Sequence, residues 1–373
     1  MVAGGSISGL MAAREAALAG LSVAVLEEDS EIGTPEHCGG LVSMAGLRDL
    51  GLIPDLVQNG QIKKARILSP NSGFEVGAEK QKVVAVDRRA LDKQVAFQAQ
   101  KAGAEIRTKC SVRSVSDNVV KTSDGDLTFD YFVDARGVSS IINRDRNGVL
   151  QSAQYEVYAD WIERDTIEVA FDSQKYPGFF AWIIPISAQK GKVGVAGRAI
   201  NAASALKSYM DSKGRHSIIR KVYAPIWVNG PLKSFVQGRT VIVGDAAGQT
   251  KPTTAGGIYS CGIGGLLAGR AIAKAQKSRD DRLLLEYDRN WFAIFGSEFD
   301  RMLLARKLLE RMDSKTMDDV FAAVSKEDLE SESGEFDFHS AAISKILKKS
   351  APRLVKAMLG NELRRLFESQ DKI

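Results

Sequence analysis

Apolar and polar positions change texture several times along the chain. At the start, short apolar runs bracket a helical period. Val2-Ala3 lead into a glycine turn, Gly4 to Gly9. Leu10 to Leu18 is alanine-rich and helical, Gly20 closes it, and Leu21 to Leu26 form a second strand ending at Glu27-Glu28. A loop from Ser30 to Gly40 precedes a short helix, Met44 to Leu50. Lys64 to Val86 alternates around turn signals and predicts a hairpin laid away from the first sheet. Asp87-Arg88-Arg89 stand ahead of an amphipathic helix, Ala90 to Ala102, closed by Gly103. Strands follow at Ala104 to Thr108, within Cys110 to Phe129, and at Tyr131 to Asp134.

Gln154 to Gly197 is alternating, aromatic and poor in helix formers. It predicts antiparallel strands, including Thr166 to Phe171, Phe179 to Ile184 and Lys192 to Ala196. Period two places Phe180, Trp182 and Ile184 on one face, either as core or as the wall of an apolar pocket. The run Val241 to Val243 then reads as a buried parallel strand stopping at Gly244-Asp245. Past Pro252, Gly256-Gly257 open a small-residue helix through Gly262, Gly264, Gly265, Ala268 and Gly269. Leu283 to Arg311 keeps a helical period, and an acidic linker spans Glu327 to Asp337. The tail, Ser340 to Ile373, carries eight Lys/Arg against three Asp/Glu. It predicts a helical cap with a basic solvated face, which is also compatible with a surface that settles on anionic lipid.

Composition narrows the classes. With 373 residues the chain has ample material for a core and two or three units. A hydrophobic share of 44% and a charged share of 26% are ordinary for a globular protein. A net charge of +5 is too modest to argue for nucleic acid. Three scattered cysteines, Cys38, Cys110 and Cys261, suggest neither a disulfide framework nor a metal site, and point to a reducing cytoplasm. No apolar run reaches spanning length, and no signal peptide is seen. The first strand is very short for a central strand, which suggests a start codon upstream of Met1.

The chemistry concentrates in two stretches. The opening strand–turn–helix–strand is the layout of a dinucleotide site, with an acidic residue about 20 positions on to hold a ribose hydroxyl. Its turn reads Gly4-x-Ser6-x-x-Gly9, so a side chain stands where the middle glycine usually lets the backbone near a pyrophosphate. In the second stretch, Asp245 at a strand end can hold a polyol, and the helix starting after Gly257 offers free N–H groups to an electron-rich ring. Together these describe a flavin. Cys38, beside His37 and two glycines, is either a small buried loop residue or a thiol near the ring. Arg88 reads as a phosphate clamp or as a solvated charge.

With these residues laid out, the chain resembles the geranylgeranyl reductase family of FAD enzymes, within the broader para-hydroxybenzoate hydroxylase-like fold. The motifs are GDAAGQTKPTTAGGIY from Gly244 to Tyr259, the Cys38-Gly39-Gly40 loop, Arg88-x-x-Leu91-Asp92, and FxWxIP ending at Pro185. Phe180 and Ile184 depart from the family's YxWxFP, and Arg136 stands where the broader group has Asp before Gly.

The resemblance implies an α/β fold. A FAD-binding Rossmann-like domain is expected at 1–60, 85–150 and 235–275, an antiparallel-sheet substrate domain at 61–84 and 151–234, and a helical region at 276–373. It implies that Gly4, Ser6 and Gly9 hold the pyrophosphate and Glu27 the adenosine ribose. Backbone from Cys38 through Gly39 to Leu41 would run along FAD, Arg88 would near the phosphate and ribityl region, and Val112 the adenine. Asp245 would take the ribityl chain, with Gly257 and Ile258 against the ring. Phe180, Trp182 and Pro185 would line the substrate site, with Cys38 as the catalytic acid and no metal. The expected reaction saturates C=C bonds of geranylgeranyl chains in archaeal ether lipids, with NAD(P)H or a ferredoxin as electron donor, at a peripheral membrane surface on the inner face of the cell membrane. Flavin monooxygenation and non-catalytic lipid binding are the alternatives.

Overall fold

The computed structural model describes residues 1–324 and 336–338. The basic tail and most of the acidic linker therefore lie outside the described residues. The chain forms two compact units, each assembled from three segments. The first unit takes Met1–Gln58, Val86–Val149 and Pro225–Asp300; the second takes Asn59–Ala85, Leu150–Ala224 and the chain from Arg301 on.

The first unit is α/β. Its six-stranded sheet runs in the order Val236–Gln237, Thr240–Ile242, Phe132–Asp134, Val2–Ala3, Ala24–Leu26, Glu105–Arg107. All neighbours are parallel except the first pair. Short as it is, Val2–Ala3 is central, with Val2 facing both Val133 and Val25. The second strand is shorter than predicted, Ala24–Leu26 rather than from Leu21, because Leu21 N–H is spent closing the preceding helix onto the Ala16 carbonyl. A small antiparallel sheet of Val112–Ser116, Val119–Thr122 and Gly125–Thr128 stands beside the main one.

The helix Ile7–Leu18 follows the glycine turn, and Ile258–Ser278 packs across it. Small residues allow that crossing: a Cβ on Gly265 would lie 2.0 Å from the Ser8 carbonyl oxygen. The helix Arg88–Lys101 begins two residues earlier than predicted. Asp87 caps it by accepting from Arg89 and Ala90 N–H, which draws Arg88 into the first turn. The helix Leu285–Leu309 buries Tyr287, Trp291, Phe295 and Phe299 in the core, where Tyr287 and Trp291 meet Phe235 and the two phenylalanines pack on Trp291.

The second unit is built on a seven-stranded sheet, in the order Ser217–Trp227, Val149–Tyr158, Lys190–Gly197, Ala181–Pro185, Thr166–Ala170, Lys64–Leu68, Gly73–Gly77. The predicted hairpin is present as its last two strands, and Lys64–Leu68 joins Thr166–Ala170 in parallel. On one face Ala153, Tyr155, Ala181, Ile183, Val193 and Val195 pack with Leu206, Tyr209 and Met210 of the helix Ala202–Lys213. Ile67, Phe74 and Phe171 pack with Met317, Val320 and Phe321 from the helix Ser314–Ala322. Among the described residues no helix is long and apolar enough to cross a membrane.

Candidate functional site

The glycine turn is shaped by close approaches. Gly4 has φ +105, and a Cβ there would lie 2.4 Å from the Ala135 carbonyl oxygen. Gly9 leaves even less room, 2.1 Å to the Gly4 carbonyl oxygen. Glu27 reaches back to this turn from the end of the second strand, accepting Gly5 N–H at 2.7 Å and Asp29 N–H at 2.9 Å. Burial pushes the Glu27 carboxyl up, and these two backbone donors work against that shift.

Ser6 is the N-cap of the following helix, but its side chain caps nothing. Instead its hydroxyl turns toward Arg88, whose Nη2 lies 3.3 Å away. The same Nη2 pairs with Asp92 at 3.0 and 3.1 Å. The side chain at the unexpected position is thus absorbed into a polar cluster on the helix Arg88–Lys101. Arg88 is buried, and the Cys38 thiol stands within hydrogen-bond reach of it. Burial works against the guanidinium charge, but Asp92 and Cys38 outweigh it and hold Arg88 protonated. Its Nε is a buried donor with no hydrogen-bond partner among the described residues.

An orphaned buried donor is costly, by about 1–3 kcal/mol, and calls for an acceptor. A phosphate or ribityl oxygen supplies one, so the donor set here fits the phosphate end of a flavin nucleotide. Gly39 and Leu41 are half-buried, with Leu41 opening the strand Leu41–Ser43. Gly40 N–H donates to Cys38 Sγ at 3.4 Å, which fixes the bend of this loop.

Asp245 lies just past the strand Thr240–Ile242, in the single turn Gly244–Ala247. Its Oδ1 accepts from the Thr250 hydroxyl at 2.9 Å and lies 3.7 Å from Cys261 Sγ. Burial pushes the Asp245 carboxyl up, against the hydrogen bonds from Thr250 and Cys261 and the charge of Arg88. Burial and then the Asp245 charge push the Cys261 thiol well up, so it is a donor here and not a nucleophile. Gly257 is the N-cap of Ile258–Ser278, and a Cβ there would meet Cys261 Sγ at 2.8 Å and Asp245 Oδ1 at 3.6 Å. The helix start at Gly257-Ile258 and the Asp245 carboxylate therefore adjoin.

Gln249 is a support that pattern reading missed. It is wholly buried; its Oε1 accepts Gly244 N–H at 2.9 Å and its Nε2 donates to the Tyr287 hydroxyl at 2.8 Å. Tyr287 donates in turn to the Ile242 carbonyl at 2.9 Å. Ser260 ties the Gln249 carbonyl to the helix at 2.6 Å, and Trp291 Nε1 donates to the Ser260 carbonyl at 3.2 Å. A polar residue inside a motif string rich in small residues was the available signal, but its partner lies 38 residues on.

Val112 begins the side sheet, and its carbonyl accepts from Arg136 Nη1 at 2.8 Å. Arg136 also bonds the Ser139 carbonyl at 3.0 Å and lies 3.4 Å from Asp134. The departure at position 136 thus links the end of the strand Phe132–Asp134 to the side sheet.

Gly4, Ser6, Gly9, Glu27, Cys38, Gly39, Leu41, Arg88, Val112, Asp245, Gly257 and Ile258 all belong to the first unit, whereas Phe180, Trp182 and Pro185 belong to the second. Phe180 precedes its strand, which starts at Ala181, and it is buried against Phe179 and Phe171. Pro185 is buried at the strand's end, and its carbonyl accepts from Asn59 at 3.0 Å. Trp182 alone of the three is half-buried. Among the described residues no cluster of His, Cys, Asp and Glu could hold a metal ion.

No family model matches the chain. It is 30% identical over 359 residues to a digeranylgeranylglycerophospholipid reductase 2 of Methanothermobacter thermautotrophicus, covering 89% of this chain and 92% of that one. A geranylgeranyl bacteriochlorophyll reductase-like protein of Thermoplasma acidophilum superposes with a TM-score of 0.84 at 23% identity, over 95% of this chain and 96% of that one. The halogenase PltM in complex with FAD shares the fold with a TM-score of 0.66 at 14% identity, over 94% and 82% of the two chains. By its likeness to the first of these along nearly its whole length, the chain belongs to the geranylgeranyl reductase family that includes the digeranylgeranylglycerophospholipid reductases.

Proposed function

We propose that this protein is a FAD-dependent reductase that saturates C=C bonds in the geranylgeranyl chains of isoprenoid ether lipids. The observation that carries the cofactor assignment is the buried, unpartnered Nε of Arg88 beside the Ser6 turn. It supports a flavin held through its phosphates, with Gly4, Ser6 and Gly9 at the turn and Glu27 on the ribose. Asp245 would hold the ribityl chain, while Gly257 and Ile258 would offer N–H groups to the ring.

When bound and reduced, the flavin supplies a hydride. The remaining requirement is a proton for the other alkene carbon. An isolated alkene is electron-rich, so that proton must come from a positioned donor away from bulk water. Cys38 is that donor in our reading: its S–H bond breaks as the new C–H bond forms, and the thiolate left behind faces the Arg88 cation. A proton from solvent then restores the thiol. Trp182 and Phe180 are read as lining the path of the polyprenyl chain. Because such a lipid lives in a bilayer, we place the reaction at the inner face of the cell membrane, approached peripherally.

The test is a host that makes unsaturated ether lipids, with and without this gene, read by mass spectrometry of its lipids. Gain of two mass units per saturated bond, together with a flavin spectrum from the purified protein, supports the reading. An unchanged lipid profile from cells containing the yellow protein sinks it.

A further inference from the structure

We propose that Gln154 and Gly194 are positioning residues that set substrate specificity by holding the Trp182 indole flat against its sheet. This rests on the reading of Trp182 as part of the wall for a polyprenyl chain.

Pairing puts four residues in one row across adjacent strands: Val169 opposite Trp182, Trp182 opposite Gly194, and Gly194 opposite Gln154. Directly opposed residues share a face, so all four side chains belong to the same side of the sheet. A Cβ on Gly194 would lie 2.3 Å from Trp182 Cζ2, 2.4 Å from Cε2 and 2.8 Å from Nε1. The indole therefore lies directly over the Gly194 backbone. Beyond it, the indole N–H donates to Gln154 Oε1 at 3.1 Å. The ring spans from its own strand, over the next, to a side chain on the one after that.

Glycine inside a strand weakens it and needs a reason. Gly194 does not have a left-handed backbone, so what is used here is its missing side chain. Its neighbours Val193 and Val195 point to the opposite face, into the core with Ala181 and Ile183. The indole is buttressed from the side by Phe179 and Phe180, stacked on each other at 4.0 Å and edge-on to Trp182 at 6.4 and 6.1 Å. Clamped beneath, at its N–H and at its edge, the ring keeps one face with one tilt.

A polyprenyl chain carries a methyl branch on every fourth carbon, so a rigid flat wall engages it in registers one isoprene unit apart. Which register is held decides which double bonds are saturated. A loose indole would blur that choice without abolishing binding.

The experiment uses the full-length holoprotein labelled with 5-fluorotryptophan, whose four resonances include Trp182, assigned with Trp182→Phe. Gly194→Ala and Gln154→Leu are compared with the parent, with and without digeranylgeranyl lipid in detergent micelles. Single turnover with dithionite-reduced flavin is read by the proportions of partly saturated products. We expect both variants to move the Trp182 resonance, to keep full flavin content, and to change product proportions about threefold or more. Lipid should shift the Trp182 resonance of the parent. If Gly194→Ala does not fold, Gln154→Leu carries the same comparison.

Unmoved resonances in the variants, or unchanged product proportions, overturn the inference. So does a parent in which lipid leaves Trp182 unmoved while turnover proceeds. A parent whose Trp182 responds to lipid but which saturates no bond defeats the reductase reading instead, and leaves the held indole standing.

Discussion

Gln249 Nε2 lies 2.8 Å from the Tyr287 hydroxyl, joining the loop after Asp245 to the first turn of the helix Leu285–Leu309. Both side chains are fully buried, so each atom of this contact must be satisfied by protein. Tyr287→Phe strands Gln249 Nε2 and the Ile242 carbonyl together. We expect a loss of about 1–3 kcal/mol in stability, seen as a lower Tm, and weaker flavin binding in a fluorescence titration. A variant that lowers neither would show that the loop holds itself.

Arg88 is the sharper test of the cofactor site. Arg88→Lys keeps a positive charge near Asp92 but removes the Nε donor, and a point charge does not replace a planar fork. Flavin affinity should drop about tenfold or more, a change of about 1.4 kcal/mol. Arg88→Met should do worse for stability, because Asp92 is left as an uncompensated buried charge, a loss of about 3–5 kcal/mol. Equal affinity in Arg88→Lys would mean that the orphaned nitrogen faces nothing.

If Asp245 holds the ribityl chain as proposed, it links cofactor binding to pH. Burial raises its carboxyl, so the folded protein binds a proton that the unfolded chain releases near pH 4. Stability of the flavin-free protein is then greatest below that range and is lost as pH rises through the raised folded value. Asp245→Asn removes this contribution. The variant's Tm should fall less than the parent's between about pH 4 and pH 7, while its flavin affinity drops at neutral pH. Parallel Tm profiles would remove Asp245 from the account. Glu27, also raised by burial, adds a slope of the same sign in both proteins.

Cys38 is read as the proton donor, and its replacement separates chemistry from binding. Cys38→Ala should slow single-turnover reduction by about 10²–10⁴ with flavin content unchanged. Cys38→Ser keeps a weak donor and should fall between. An unaffected rate in the alanine variant would hand the proton to another group.

Much of this site can be read from residue order because its parts are local. The turn from Gly4 to Gly9 and Gly244-Asp245 at a strand end are short strings with their own signature, and Glu27 falls one helix after the turn, where it accepts Gly5 N–H from 22 residues back. What escaped the pattern depends on distant partners. The Arg88 Nη2 that pairs with Asp92 one turn on also meets the Ser6 hydroxyl from 82 residues upstream, which no local pattern reports. The helix Ala202–Lys213 has an ordinary mixed sequence and is recognised only by the sheet face it covers. Phe180 alternates with Trp182 in the sequence, yet it lies before the strand and packs into an aromatic cluster that no periodicity reports.

The strand pairings also constrain how the protein is made. Phe132–Asp134 must wait for Thr240–Ile242, and Lys64–Leu68 for Thr166–Ala170. A ribosome therefore releases neither half in finished form early: each sheet stays open until chain emitted much later arrives to close it. Cutting the gene in the middle yields two fragments with unfilled strand slots, prone to stick to one another or to themselves. Co-expressed, those same fragments carry complementary edges and should reassemble by fragment complementation.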